Sequence, residues 1–493
     1  MKNSTKNVLL TLLKTFAALV AGYYIVLFLY IAISRLAFPI AIDWVEGAVL
    51  IQVDHLLAGG AMYAQPTAAY TALIYPPFYF YVAAAFARLL GVGFLPLRLT
   101  SLLSTCGCLI VIFYMVYRNT RSKLYAFIAA GFFAATYASV WSWFDFARVD
   151  MLFVFFCLLG LYFLSSAQTN PRAAVAALFF ALAFFTKQSA LFIVAPLAVL
   201  YFFYRRKQAL AFVLIFAALA SLGLLLFNLS SAGWYNYYVF TLPANHKLAT
   251  SFPSVISLIQ VMLGPILVAL VVSLLPLLFQ RQEPPPDTLY HFFLFAVAAV
   301  MLGTMVGALS PGSTHNAYIP AYATLAILLG ISLQQLQQML AGLEHPPEWG
   351  KALLIALLPA LCLVQFWLLQ YQPRDYVPTG QDWKRAAVLI KSLKGTPADF
   401  IAPMHAYLAL YVDKPVLYDE APLWELNGQV GKRPLPEWSS IADETRHIVQ
   451  SQQAAFVYMT VPSHTWQKMT CEKADVLNSN SKFVPTLYQM VCK

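Results

Sequence analysis

Charge is what this chain has least of: 11% of its 493 residues are Asp, Glu, Lys or Arg, against roughly a quarter in an ordinary soluble domain. That scarcity excludes a soluble enzyme. Signatures of familiar soluble chemistry are missing too, with no Walker loop, no His-Glu-x-x-His, no Cys-x-x-Cys and no nucleophile elbow around a serine. Nucleotide-driven chemistry is therefore disfavoured, and energy has to come from an ion gradient or from an already activated, membrane-borne substrate. What is present in quantity is apolar: 60% of residues are hydrophobic and 15% aromatic.

The net charge of +10 would raise nucleic acid as a partner in a soluble protein. Its placement removes that reading. Residues 1–371 hold 18 Lys/Arg and 9 Asp/Glu, whereas residues 372–493 hold 13 and 12. Two domains follow: a polytopic transmembrane domain over 1–371, and a globular domain over 372–493 large enough to bury a modest core of its own.

Basic clusters mark the cytoplasmic ends of short loops, and here they are Lys2/Lys6/Lys14, Arg118/Arg121/Lys123, Arg172, Arg205/Arg206/Lys207, Arg281 and Lys351. Keeping all of them on one side forces an even number of crossings between successive clusters. Of the apolar runs 9–33, 74–90 and 98–117, the middle one is the shortest, starts at Tyr75-Pro76-Pro77 and carries Arg88. It is read as an interfacial helix, so that residues 34–97 form a long external loop with juxtamembrane helices. Further spans near 124–143, 151–166, 173–186, 188–204, 209–230, 255–279, 289–309, 317–335 and 352–371 bring the total to about eleven. The N-terminus is then cytoplasmic and the C-terminal domain extracytoplasmic, with Lys187 near the outer tip of a tight hairpin.

Four of the six cysteines, Cys106, Cys108, Cys157 and Cys362, lie in apolar spans as packing residues. Cys471 and Cys492 lie in the tail and can form a disulfide if it is extracytoplasmic. Helices at 382–393, 406–411 and 437–451, with strands at 400–401 and 455–460, predict a small α/β layer for that tail.

With the cytoplasmic clusters set aside, the membrane domain leaves Arg35, Arg88, Arg98, Arg148, Lys187 and Lys247, joined by Asp43, Glu46, Asp54, Asp145 and Asp150. Ionisable groups at a membrane face are costly unless paired or working. Asp43 and Glu46 stand three apart, a spacing that lets two carboxylates converge on a substrate or a metal and equally describes a capping box at a helix start. Asp145, Arg148 and Asp150 crowd the next external loop, where a local arginine–acid pair is the plain alternative. Lys187, in an apolar neighbourhood, is a compact cation suited to a phosphate. His246 and Lys247 can add donors to the same group, and in the late loop containing His315 and Asn316, Gly312 permits close backbone approach to a ligand.

In order along the chain, Asp43-Trp44-Val45-Glu46-Gly47, Tyr75-Pro76-Pro77-Phe78, Ala147-Arg148-Val149-Asp150, Phe185-Thr186-Lys187-Gln188 and Asn316 through Pro320 resemble the bacterial membrane glycosyltransferases of the GT-C superfamily. The likeness is to the branch related to protein O-mannosyltransferases and the lipid A aminoarabinose transferase, and it covers about the first 340 residues. It implies a GT-C-like fold in the bacterial cytoplasmic membrane and an inverting transfer of a sugar from a polyprenyl-phosphate donor to an acceptor hydroxyl at the outer face. The acceptor is a glycan, a lipid or a protein, with no role for nucleic acid. Asp43 is then the first choice for the base and Glu46 the second, while Lys187, Arg148, His246 and Lys247 face the donor phosphate.

The resemblance further implies a second acidic site at Asp150 and Asp145. Asp150 either orients Arg148 or, with Glu46, holds a divalent metal such as Mg or Mn. The sequence departs from many relatives in separating the two loop acids and in placing Tyr75 where a His or Lys often precedes the proline pair. The competing class is a transporter or flippase of lipid-linked saccharides, which calls for charges near the midplane rather than at one face.

Overall fold

The computed structural model describes residues 2–166, 169–279, 289–310, 313, 315–345, 347–396, 399–428, 432, 434–450, 456–459, 471–477, 481–485 and 487–492. The first nine helices are α1 (Lys2–Arg35), α2 (Glu46–Leu57), α3 (Phe78–Leu90), α4 (Phe94–Thr120), α5 (Lys123–Ala135), α6 (Asp150–Ser165), α7 (Asn170–Thr186), α8 (Ala190–Tyr204) and α9 (Arg206–Ser230). Long helices follow at Phe252–Leu278, Leu289–Ala308, His315–Ala341 and Glu348–Asp375.

Among the described residues seven helices, namely α1, α4, α9 and these last four, are long and apolar enough to cross a membrane; α3, α5, α6, α7 and α8 are shorter apolar helices. The protein is a multi-pass membrane protein. On α9, Leu214 and Leu229 are about two-thirds exposed. A leucine face of that kind is stable against lipid tails rather than water. His315–Ala341 is its opposite, a helix almost wholly buried at the centre of the bundle.

Close packing in a membrane depends on small residues at helix crossings. Gly131 of α5 lies against Ala21 of α1, where a Cβ would collide with Ala21 backbone atoms, and Gly303 lies against the backbone of Phe192 in α8 in the same way. The span expected over 124–143 is shorter than its apolar run. α5 stops at Ala135, and residues 136–149 form turns in which Trp141 and Ser142 have φ of 52° and 61°. These turns are nevertheless buried, with Tyr137, Trp143, Phe144 and Phe146 inside the protein. Apolar composition reports burial, and a buried turn with satisfied carbonyls reads the same as a helix.

Among the described residues the tail contributes a helix at Gly380–Lys394 fixed by a Thr379/Asp382 capping box, a helix at Glu437–Gln450, and four strands. These are β1 (Phe400–Ile401), β2 (Phe456–Met459), β3 (Cys471–Leu477) and β4 (Leu487–Cys492). They pair in the order β1-β2-β4-β3, parallel between β1 and β2 and antiparallel elsewhere. The backbone register sets Cys471 opposite Cys492; the side chains of that expected disulfide lie outside the described residues.

Two apolar cores result. One fills the helical bundle. The other joins the loop helices α2 and α3 to the tail, so that Val49, Tyr79 and Phe94 pack in one cluster with Leu389, Tyr407 and Leu423. Their shared core carries the tail over the mouth of the bundle.

Candidate active site

Between α1 and α2 the chain runs irregularly, and one ion pair fixes its course. Glu46, fully buried, takes Nε and Nη2 of Arg98 at 3.0 and 2.7 Å. The same carboxylate accepts the backbone amides of Ile42 at 2.7 Å, Asp43 at 3.4 Å and Ala147 at 2.7 Å. Arg98 spends its other donors on the carbonyls of Arg35, Phe38 and Ile40. Burial alone would raise the Glu46 pKa, but Arg98 and these amides hold it below the ordinary value. Glu46 thus clasps the first loop, α4 and the second loop together, and has little capacity left for a proton or an ion. The capping box is not formed, since α2 begins at Glu46 itself with Val45 as N-cap and no side-chain cap bond; the Glu46 contacts are those of a buried ion pair with Arg98.

Asp43 sits differently. Its Oδ1 accepts the amide of Val45 at 3.1 Å and Nη1 of Arg148 at 2.9 Å. Burial pushes its carboxyl pKa up, and the neighbouring Arg148 reverses this only in part. Arg148 also donates to the Tyr75 hydroxyl at 2.9 Å and stacks over the Trp143 ring at 4.5 Å. Its Nε is buried without a partner among the described residues. Tyr75 stands two residues before Pro77, the N-cap of α3. The tyrosine that stands in place of a His or Lys is therefore an acceptor for Arg148.

At the foot of the second loop, Asp150 opens α6 and accepts Lys187 Nζ at 2.7 Å and Asn316 Nδ2 at 2.9 Å on one oxygen. Its other oxygen is buried without a hydrogen-bond partner among the described residues. Lys187 lies in the break between α7 and α8, as the hairpin reading expects. Asp145 is not part of this group. Both its oxygens are held by Arg35, and Tyr137 donates to it as well, so it anchors the second loop to the end of α1.

A cavity of about 550 Å³ lies beside these groups, its wall including Trp44, Tyr75, Arg148, Lys187, His246 and Asn316, with Asp43 and Asp150 behind Arg148 and Lys187 rather than on the wall. Arg148 and Lys187 therefore face one space, with Asp43 bonded to the first and Asp150 to the second, and Lys432 of the tail faces the same space. His246 bridges Ser310 Oγ at 2.7 Å and Glu425 at 2.5 Å. Lys247 is exposed and His315 stacks on Trp141 at 4.0 Å; neither lines the cavity. Gly312 lies outside the described residues.

The divalent-metal pair expected at Glu46 and Asp150 does not fit this arrangement. Arg98 fills Glu46, Lys187 and Asn316 share one oxygen of Asp150, and no group of three His, Cys, Asp or Glu converges among the described residues. Sequence reading missed the tail's part in the wall, made by Trp424, Glu425 and Lys432. Nothing local signals it, since Glu425 meets a histidine 179 positions earlier.

Residues 75–234 match the family described as dolichyl-phosphate-mannose-protein mannosyltransferase. No curated protein matches the chain in sequence. The fold is that of ArnT from Cupriavidus metallidurans in the apo state, at a TM-score of 0.59 and 15% identity, covering 95% of this chain and 98% of that one. The same enzyme bound to undecaprenyl phosphate gives 0.58 and 14%, over 95% and 97%. An Archaeoglobus fulgidus oligosaccharyltransferase tethered to an acceptor peptide gives 0.51 and 12%, over 88% and 69%. Family match and fold agree with the GT-C resemblance read from the motifs.

Proposed function

We propose that the protein is an inverting glycosyltransferase that moves a sugar from a polyprenyl-phosphate donor to an acceptor hydroxyl at the outer face of the cytoplasmic membrane. The observation that carries this is the pairing of two cations on one cavity, Arg148 and Lys187, with a carboxylate of raised pKa bonded to the first. The matched family acts from a dolichyl-phosphate sugar by its description, and ArnT has been seen with undecaprenyl phosphate.

The donor phosphate sits between Lys187 and Arg148, its tail leaving along the apolar wall formed by residues such as Phe192 and Val306. As the anomeric bond breaks, charge grows on that phosphate. Fixed cations then stabilise the transition state more than the ground state. Arg148 has an unused Nε for the purpose, and turning toward the phosphate loosens its hold on Asp43. The carboxylate becomes more basic as the acceptor hydroxyl needs deprotonating, a contribution of about 10² to 10⁴ in rate. One displacement inverts the anomeric carbon.

The test is release of polyprenyl phosphate from a panel of labelled polyprenyl-phosphate sugars by the purified protein. Asp43→Asn is expected to keep the folded protein and donor binding while lowering transfer at least a hundredfold. Wild-type turnover in that variant removes Asp43 as base. Movement of an intact lipid-linked saccharide without bond cleavage replaces the proposal with the transporter class.

A further inference from the structure

At the far end of the bundle the helices enclose a second space. It measures about 180 Å³ and is walled by Arg118 and Asn119 of α4, Tyr162, Ser165 and Ser166 at the end of α6, and Arg172 at the start of α7. Met115 and Leu289 supply its apolar side. Among the described residues no carboxylate lines it and neither arginine has an ion-pair partner. Arg118 donates to the Tyr162 hydroxyl at 2.9 Å and Arg172 to the Ser166 carbonyl at 3.0 Å. Most of the guanidinium donors therefore remain available, and two planar guanidinium groups beside hydroxyls form a phosphate-recognising set.

Position says what carries that phosphate. The elements forming this pocket hold active-site residues at their other ends: Arg98 on α4, Asp150 on α6, and Lys187 just past α7. The 16 residues of α6 alone rise about 24 Å, and a bilayer core is about 30 Å thick. The two sites thus stand at opposite membrane interfaces. On the outer face of α4, Leu103, Ile110 and Tyr114 are exposed and recur at helical spacing in a line that ends at Arg118. An acyl chain lying along that line brings its headgroup to the pocket.

We infer that Arg118 and Arg172, with Tyr162 and the Ser165/Ser166 hydroxyls, form a binding site for the phosphate headgroup of an anionic phospholipid in the leaflet opposite the active-site cavity. The inference uses the multi-pass membrane fold and is independent of the glycosyltransferase reading. Basic pockets between transmembrane helices hold anionic headgroups in this manner.

The test is native mass spectrometry of the full-length protein in detergent, titrated in separate arms with phosphatidylglycerol, phosphatidylcholine and inorganic phosphate. Retention of phosphatidylglycerol over phosphatidylcholine is expected, with at least a tenfold weaker apparent affinity in R118Q/R172Q and no change in R206Q, which removes an exposed arginine elsewhere. Ile110→Gln, at an exposed position whose change leaves folding alone, is expected to weaken lipid retention without touching phosphate binding. Equal retention of the two lipids, or wild-type retention in R118Q/R172Q, overturns the site. Full displacement of phosphatidylglycerol by millimolar inorganic phosphate overturns its assignment to a lipid.

Discussion

Two carboxylates three residues apart have opposite fates here, and their neighbours decide which. Glu46 meets a guanidinium squarely along with three amides, while Asp43 shares Arg148 with a tyrosine. Removing the Glu46 charge leaves Arg98 buried and uncompensated, a loss of about 3–5 kcal/mol for a broken buried pair. Glu46→Gln is thus expected to lower the thermal midpoint sharply, whereas Asp43→Asn is expected to leave it near that of wild type. A thermal melt in detergent distinguishes them, and equal midpoints contradict the division of roles. Acid acts with opposite signs as well. Glu46, with its folded pKa below the unfolded value, contributes stability that is complete above the unfolded pKa and lost as pH falls through the folded one. Asp43, with a raised folded pKa, favours the folded state when protonated and withdraws that contribution as pH rises. As a base it works only ionised, so kcat/KM should climb with pH through a value above the ordinary Asp pKa of about 3.9. An acid limb at or below that ordinary value removes Asp43 from proton transfer.

Helices place these groups, and their spacing depends on close approach. α1 and α5 touch through Ala21 and Gly131, which sets where Arg35, at the end of α1, meets Asp145 in the turns after α5. Gly131→Val is expected to push the two helices apart and destabilise the protein by about 1–3 kcal/mol, the usual range for overpacking. Gly307→Ala, where nothing lies within 4 Å of an added Cβ, serves as the control. Unfolding midpoints of the pair check this, and matching values contradict a close-packed crossing. At this scale the sequence was informative about apolar length and poorly informative about where helices stop. The break at Lys187 was legible because two basic ends bracket a run of awkward length. The end of α5 at Ala135 was not, because the turns after it are as apolar as the helix before it.

Across the whole molecule, the loops and the tail close one space between them. The sequence showed that charges gather in the loops after α1 and after α5, and the structure brings Arg148 and Lys187 onto one cavity, the first paired with Asp43 and the second with Asp150. It was silent about the tail, whose composition is that of an independent soluble domain, because contacts across 179 positions leave no local pattern. Three contacts seat that tail over the cavity: Glu425 on His246, Trp424 against Trp44 at 4.8 Å, and the Lys432 amide on the Asn245 carbonyl. None of them is made by Lys187 or Arg148, between which the donor phosphate is placed. Loosening the tail should therefore disturb the acceptor more than the donor. Glu425→Gln keeps the shape of the side chain but removes the charge opposite His246, and it is expected to raise the acceptor KM by about tenfold, the effect of roughly 1.4 kcal/mol. Polyprenyl-phosphate affinity should stay within twofold. Faster amide exchange is expected over residues 419–428, which hold the tail side of the contact. A fall in donor affinity with acceptor KM unchanged would place the tail on the lipid side of the reaction instead. Equal loss of both would make Glu425 a general stabiliser of the fold, since only a residue that acts through the acceptor separates the two constants.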